Sequence, residues 1–452
     1  MKNYDAVVIG FGKGGKTLAG EMANHGWKVA VVEKSNKMYG GTCINVGCIP
    51  TKYLIIEAGK NKFKNISSFE EYAEVYKNTI EKKNELISLF RKKNYDNLND
   101  KENIDIYTGE GSFVNEKVIE IKLENETLKI QGERIFINTG AETIIPPIKG
   151  LKENKYIYDS EAIMQLKELP KQLVIIGGGY IGLEYADMYN NFGAEVIVLE
   201  GSPLFIPRED REIADEIQKV MEKKGIKFIL GAKVTEVLEN KVKYEKDGQI
   251  GSVDGDAILV AVGRRPNVKG LKLENAGIKT TDRGAVLVDD NLHTSAGNVW
   301  AMGDVHGGLQ FTYTSLDDYR IIRSELFGDK KYSLKERGPV PYTVFIDPQF
   351  SRVGMTEEEA IQKGYKIKTS KMPAVTPRMK ISGETDGLLK TVVDAETGKI
   401  LGASLFFAQS GEVINNIRLA MMADKDYTFL RDGIFTHPTM SETLNDLFGQ
   451  IK

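Results

Sequence analysis

The chain has 452 residues, 41% of them hydrophobic, two cysteines and a formal net charge of −3. That length accommodates two to four domains with a large buried core, and a balance so near neutral gives no electrostatic case for nucleic acid or an anionic membrane as partner. No apolar run approaches about 18 residues, so no spanning helix and no membrane are expected, and the N-terminus goes straight into a strand, leaving no room for a signal peptide.

Residues 4–9 read as a short, buried, β-branched strand, followed by Gly10-Phe11-Gly12-Lys13-Gly14-Gly15 and a helix from Lys16 to about His25. A second apolar run from Lys28 ends at Glu33. This is G-x-G-x-x-G in its full β–α–β–acid setting. Gly10 permits the tight turn, Gly12 lets backbone amides reach a pyrophosphate, and Gly15 packs helix on strand, while Glu33 can accept hydrogen bonds from a ribose.

Next comes Gly40-Gly41-Thr42-Cys43, then Cys48-Ile49-Pro50-Thr51-Lys52, which holds both cysteines of the chain. Two cysteines are too few for a disulfide scaffold or a four-ligand zinc site. A pair this close can close into a small ring and reopen on reduction; the alternative is two independent buried thiols. A working dithiol without structural disulfides fits a reducing cytoplasm. The Lys/Glu/Asn-rich stretch from about 54 to 98 reads as a solvated helical pair packed on the outside.

The nucleotide-loop device then recurs. Leu173–Ile176 is a strand, Gly177-Gly178-Gly179-Tyr180-Ile181-Gly182 the loop, and a helix runs through Glu184 and Met188 to a second strand ending at Glu200. Two dinucleotide sites beside a dithiol suggest two different nucleotides, with electrons passing from nicotinamide to flavin to disulfide. Beyond Lys335, Val340–Phe345 and Leu388–Val393 suggest an α+β domain. Of the four histidines, His25, His293 and His306 read as surface or capping groups. His437 differs: Pro438 follows it and Glu442 sits five residues on, which makes an oriented acid/base.

With Ile137–Ala141, Val262–Asn267, Ser295–Val305 and His437–Glu442 added to the cysteine stretch and both loops, the chain resembles the flavin-dependent pyridine nucleotide–disulfide oxidoreductases over essentially its whole length. The resemblance implies an α/β fold of two Rossmann-like dinucleotide-binding domains plus a C-terminal α+β dimerisation domain. FAD would occupy 1–147 and 267–335, NAD 148–266, and the interface of a homodimer 336–452. Gly41, Thr42, Thr139, Gly140, Gly263 and Gly303 would then line the cofactors, with Asp304 on the ribityl chain. Cys43 would meet the substrate and Cys48 face the flavin. Lys52 would sit beside the flavin and pair with Glu184, and His437 with Glu442 would serve Cys43 of the other subunit. Glutathione reductases favour NADPH through arginines after the second strand; here Glu200 is followed by Gly201-Ser202-Pro203, which suits a free 2′-hydroxyl and hence NADH.

A closer resemblance rests on Met38–Asn45, Pro207–Asp210, Leu309–Tyr313, Ser315–Arg320 and Phe435–Leu447. It is to the bacterial reactive-chlorine-resistance flavoproteins, whose members are described as NADH-dependent copper(II) reductases. It implies a metal-ion or small-molecule acceptor, most readily copper(II) in oxidative-stress defence, with Cys43 and Cys48 as soft ligands for the copper(I) product. The C-terminal cysteine pair of mercuric reductases and large thioredoxin reductases is absent. Dihydrolipoamide dehydrogenase stays open, because the cysteine stretch and His437/Glu442 would serve it. The non-enzymatic alternative is a flavin-containing redox sensor, which would not need that acid/base pair.

Overall fold

The computed structural model describes residues 1–152 and 154–452. The chain divides into two compact units: Met1–Tyr53, Asn78–Ile144 and Gly263–Arg337 form the first, and Leu54–Lys77, Ile145–Val262 and Gly338–Lys452 the second.

In chain order the elements begin β1 (Lys2–Ile9), α1 (Lys13–Asn24), β2 (Val29–Glu33), α2 (Thr42–Asn45), α3 (Cys48–Gly59) and α4 (Phe69–Asn99). Then come β3 (Ile104–Thr108), β4 (Glu110–Phe113), β5 (Val118–Lys122), β6 (Thr127–Ile137), β7 (Ala141–Thr143) and β8 (Ile157–Tyr158). The second loop is framed by β9 (Gln172–Ile176), α5 (Tyr180–Asn191) and β10 (Glu195–Glu200), followed by α6 (Arg211–Lys223) and β11 (Lys227–Leu230). Next are β12 (Lys233–Leu238), β13 (Lys241–Lys246), β14 (Gln249–Asp254), β15 (Ala257–Val260), β16 (Arg264–Pro266), β17 (Val299–Ala301) and α7 (Thr312–Phe327). The last stretch holds β18 (Tyr342–Val344), β19 (Phe350–Gly354), α8 (Glu357–Gln362), β20 (Ile367–Pro373), α9 (Pro377–Ser382), β21 (Leu388–Asp394) and β22 (Ile400–Phe406). Three helices close the chain: α10 (Ser410–Met422), α11 (Thr428–Arg431) and α12 (Thr443–Gly449).

In the first unit β1 lies between β2 and β6, parallel to both, and the order β3-β2-β1-β6-β5-β4 is joined by β17 on β6. A strand covered on both faces reads as a continuous apolar run, and Ala6, Val7 and Val8 are fully buried. Each such Val contributes about 2 kcal/mol by leaving water. Helix α1 starts three residues before the Lys16 expected from the sequence. Gly12 is its N-cap and supplies no side chain to cap it, so the first turn starts at once and the amides of Gly14 and Gly15 find side chains from elsewhere in the unit.

The second unit carries a parallel sheet in the order β11-β10-β9-β15-β8 and an antiparallel one in the order β18-β19-β22-β21-β20. Its second helix of the α/β device, α5, again begins on a glycine N-cap, Gly179, without a capping side chain. The mixed α/β architecture with two dinucleotide-binding βαβ modules is thus the expected one.

The polar stretch at 54–98 differs from the expected solvated pair. Helix α4 alone runs 31 residues, and Tyr76, Ile80, Lys83 and Ile87 along it are buried. Their spacing of four, three and four is one helical stripe, masked in composition by Lys83 standing inside it.

Candidate functional site

The redox stretch is shaped by glycine. Gly41 is the N-cap of α2 with φ at 78°, and a Cβ there would stand 2.7 Å from the Gly12 Cα of the nucleotide loop. Only glycine permits that approach. Cys43 lies in α2, half-buried; Cys48 is the first residue of α3 and exposed. The Cys48 Sγ stands 3.4 Å from the hydroxyl of Thr312, the first residue of α7. The Cys43 thiol is held far above the usual range, first by the hydrogen bond it shares with Cys48 and then by burial; the Thr312 hydroxyl and the Lys16 charge pull the other way. The N-terminus of α3, which Cys48 opens, favours negative charge there.

The loop carrying the cysteines is clamped from α4 and α1. Buried Asn45 donates to the carbonyls of Tyr39 (3.0 Å) and Gly41 (2.9 Å) and accepts from Arg91 Nε at 2.7 Å. Lys16 Nζ donates to the Gly40 carbonyl at 3.3 Å and to Asn94 Oδ1.

Around the first loop, Asn138 at the end of β6 is the hub. Its Oδ1 accepts the Gly15 amide at 2.9 Å and its Nδ2 donates to the Met302 carbonyl at 2.8 Å. A Cβ on Gly12 would meet Asn138 Oδ1 at 2.5 Å, and one on Gly10 its carbonyl oxygen. Ser315 Oγ accepts the Gly14 amide at 3.2 Å. Glu33 accepts the amides of Phe11 (2.9 Å) and Ser35 (3.2 Å); burial pushes its carboxyl up, against those amides. Thr139 Oγ1 donates to the Asn267 carbonyl at 2.7 Å, the Asn267 amide returns to Gly140, and β7 pairs with β16 just after Gly263.

The turn Gly303–His306 carries Asp304, whose carboxyl is raised by burial, with Arg264 and His306 opposing. Fully buried Asp318 holds that turn: it accepts the Gly303 amide at 2.6 Å and faces His306 Nε2 at 3.1 Å, and Arg337 closes on its other oxygen. His306 is therefore no surface histidine, contrary to the sequence expectation. The Asp at the i+12 position that fixes it is distant in sequence and arrives only with α7.

The second loop repeats the carboxylate-to-amide pattern of the first. Glu200 accepts the Gly178 amide at 2.6 Å and the Ser202 amide at 2.7 Å, as Glu33 does those of Phe11 and Ser35. A Cβ on Gly177 would meet the Ala261 carbonyl at 2.6 Å, and one on Gly182 the Gly177 carbonyl. Glu184 on α5 accepts the Phe345 amide at 2.9 Å; Lys52, its expected partner, lies on α3 in the first unit. Near the C-terminus, both oxygens of Glu442 lie 2.9 Å from His437 Nδ1. The imidazole remains exposed, at 69% of its side chain.

Both loops fit a dinucleotide. Each has glycines whose Cβ would strike backbone, a helix whose N-cap glycine brings no side chain, and a strand-end carboxylate locked by two amides. No cluster of three or more His, Cys, Asp or Glu able to hold a metal occurs among the described residues, and none of their helices is long and apolar enough to cross a membrane.

Residues 4–318 match the pyridine nucleotide-disulphide oxidoreductase family, and 340–448 match the dimerisation domain of the same family. The chain belongs to the pyridine nucleotide–disulfide oxidoreductases; it is a flavoprotein disulfide reductase that uses FAD and a pyridine nucleotide. Among curated relatives it is 48% identical to the probable pyridine nucleotide-disulfide oxidoreductase RclA of Escherichia coli, over 100% of both chains. It is 34% identical to a mercuric reductase of Staphylococcus aureus, covering 98% of this chain and 81% of that one. Among solved structures, the copper(II) complex of the HOCl-induced flavoprotein disulfide reductase RclA from Escherichia coli matches with a TM-score of 0.94 at 49% identity, over 100% of both chains.

Several contributors escaped sequence reasoning. Asn138, Ser315 and Asp318 all lie inside runs that carry the family resemblance, so a signal was present without a role attached. Thr312 likewise lies in such a run, whereas Lys16, Arg91 and Asn94 gave none, because each acts on the cysteine loop from a remote part of the chain.

Proposed function

We propose that this chain is an NADH-dependent copper(II) reductase acting in reactive-chlorine or oxidative-stress defence, with Cys43 and Cys48 as its redox pair. Bound FAD would supply the two-electron relay between nicotinamide and cysteines. NADH and a proton would reduce the disulfide to two thiols, and two copper(II) ions would return it to the disulfide, releasing two copper(I) ions and two protons. The observation that carries this reading is the thiol pair, Cys43 hydrogen-bonded to Cys48 and Cys48 set at the Thr312 hydroxyl, in a chain half identical throughout to a protein solved with copper(II). Thiolates are soft ligands suited to copper(I) as product.

On this reading Cys43 faces the acceptor and Cys48 the flavin. Gly10, Gly12, Gly15, Glu33, Gly41, Thr42, Thr139, Gly140, Gly303 and Asp304 hold FAD, within residues 1–147 and 267–335. Gly177, Gly179, Gly182, Glu200 and Gly263, all within 148–266, serve NAD. Glu200, locked by two amides, disfavours a 2′-phosphate. Lys52 pairs with Glu184 beside the flavin. Residues 336–452 form a homodimer interface that brings His437, oriented by Glu442, to Cys43 of the partner subunit; the protein works in the cytoplasm.

Cys43→Ser and Cys48→Ser should each retain FAD yet lose NADH-driven copper(II) reduction. Wild-type rates in either variant would overturn the proposal. The His437–Glu442 pair favours one second reading, dihydrolipoamide oxidation, which needs a base at the thiol.

A further inference from the structure

We propose that Glu209 is a positioning residue for the nicotinamide nucleotide: it tethers Tyr180, the first residue of α5, and so fixes the helix end that closes the second glycine loop. The proposal rests on the reading that NADH is held at Gly177–Gly182. Glu209 lies in the run Pro207–Asp210, just before α6, and its carboxylate is fully buried. Its Oε1 accepts from the hydroxyls of both Tyr180 and Tyr342, the latter on β18 at 2.5 Å. The two phenol oxygens lie 3.2 Å apart, and the rings stack with centroids 5.5 Å apart. Burial, then the Glu209 charge, hold both phenols far above their usual range, so both stay donors. No hydrogen bond among the described residues reaches Oε2, which faces the Arg352 guanidinium of β19 at 3.5 Å; that guanidinium lies over the Tyr342 ring.

A buried carboxylate with one oxygen unbonded is a costly way to join two rings. Packing alone would be served as well by an apolar side chain of similar volume. What the charge adds is a fixed place for the Tyr180 hydroxyl, since hydrogen bonds to an ionised acceptor are the short, strong ones. The helix end needs such a restraint. Gly179, the N-cap of α5, brings no side chain, and a capping side chain would take amides that a pyrophosphate needs. In the first turn of α1 the amides of Gly14 and Gly15 are steadied by Ser315 and Asn138. At α5 the restraint comes through the Tyr180 side chain instead, held at its far end by Glu209.

The test is anaerobic stopped-flow reduction of the FAD-loaded enzyme by NADH, which separates the half-saturating NADH concentration from the limiting rate of flavin bleaching. If an untethered first turn holds its binding arrangement about a fifth of the time, the half-saturating concentration rises about fivefold. Tyr180→Phe, which keeps the ring and deletes only the hydroxyl, should show that rise with an unchanged limiting rate. Glu209→Met should match it, and the double variant should exceed neither, because all three lose the same tether. Tyr342→Phe leaves the Tyr180–Glu209 bond in place and should stay close to wild type. If Glu209→Met does not fold, because Arg352 loses its anion, Glu209→Gln decides: its weaker acceptor should give a smaller rise, and none in the Tyr180→Phe background. Wild-type half-saturation in Tyr180→Phe would overturn the tether. So would additive effects in the double variant, which would mean that Glu209 only packs, or a silent Glu209 substitution beside an affected Tyr180→Phe, which would mean that the hydroxyl meets the nucleotide directly. A Cβ on Gly179 would meet nothing within 4 Å, so Gly179→Val should fold yet fill the place of the pyrophosphate. Wild-type saturation by NADH in that variant would instead remove the reading beneath the proposal.

Discussion

Cys43 and Cys48 differ in burial and in the element each occupies, and that asymmetry divides their work. Cys48 opens a helix and sits at the Thr312 hydroxyl; Cys43 is half-buried, its thiol pushed up by the Cys48 hydrogen bond and by burial. Two-electron reduction of the holoenzyme should therefore produce a long-wavelength absorbance that vanishes in Cys48→Ser and survives in Cys43→Ser. The opposite pattern in anaerobic spectra would reverse the assignment. Asn138 is the second residue of consequence, because its one amide group ties the Gly15 amide to the Met302 carbonyl. Asn138→Ala leaves buried donors and acceptors unmet at about 1–3 kcal/mol each. It should release FAD at dilutions where wild type stays yellow, as flavin fluorescence in the filtrate would report.

At the scale of elements, the two βαβ modules were legible because glycine spacing, strand composition and terminal acid all point to one local structure. What those acids bond to was not, since the amides of Phe11 and Gly178 reach them only after the strands pair. Glu200→Ala should narrow the preference for NADH over NADPH by about tenfold in kcat/KM; equal values for both nucleotides in the wild type would remove the premise. The α4 stripe was legible in principle and hidden by Lys83. The turn bearing Asp304 depends on α7 in a way no local pattern announces. Burial pushes the Asp318 carboxyl up, but the His306 hydrogen bond, the charges of His306 and Arg337, and the Gly303 amide together carry it below the usual range. A folded value below the unfolded one adds stability that is present above the ordinary carboxylate range and lost as pH falls through the folded value. Asp318→Asn should thus cost about 3 kcal/mol at neutral pH, a gap that closes on acidification in urea unfolding. A pH-independent gap would show that packing, not charge, is what Asp318 supplies.

At the scale of the molecule, each compact unit holds one nucleotide loop, and the His437–Glu442 pair sits in the unit that lacks the cysteines. If dimerisation brings His437 to Cys43 of the partner subunit, re-associated mixtures of Cys43→Ser and His437→Ala chains should regain about a quarter of wild-type activity, since half the dimers carry one intact site. No recovery would place the acid/base elsewhere. The family was legible from motifs spread over the chain, whereas the acceptor is not written in any one of them, because a thiol pair serves metals and disulfides alike. The most direct test compares, in one enzyme preparation, kcat/KM for copper(II) with NADH against kcat/KM for dihydrolipoamide with NAD+, with chelator controls for free-metal chemistry. Enzyme-dependent copper(II) reduction that far exceeds lipoamide turnover is the predicted result; rapid lipoamide turnover with no enzyme-dependent copper reduction would contradict it.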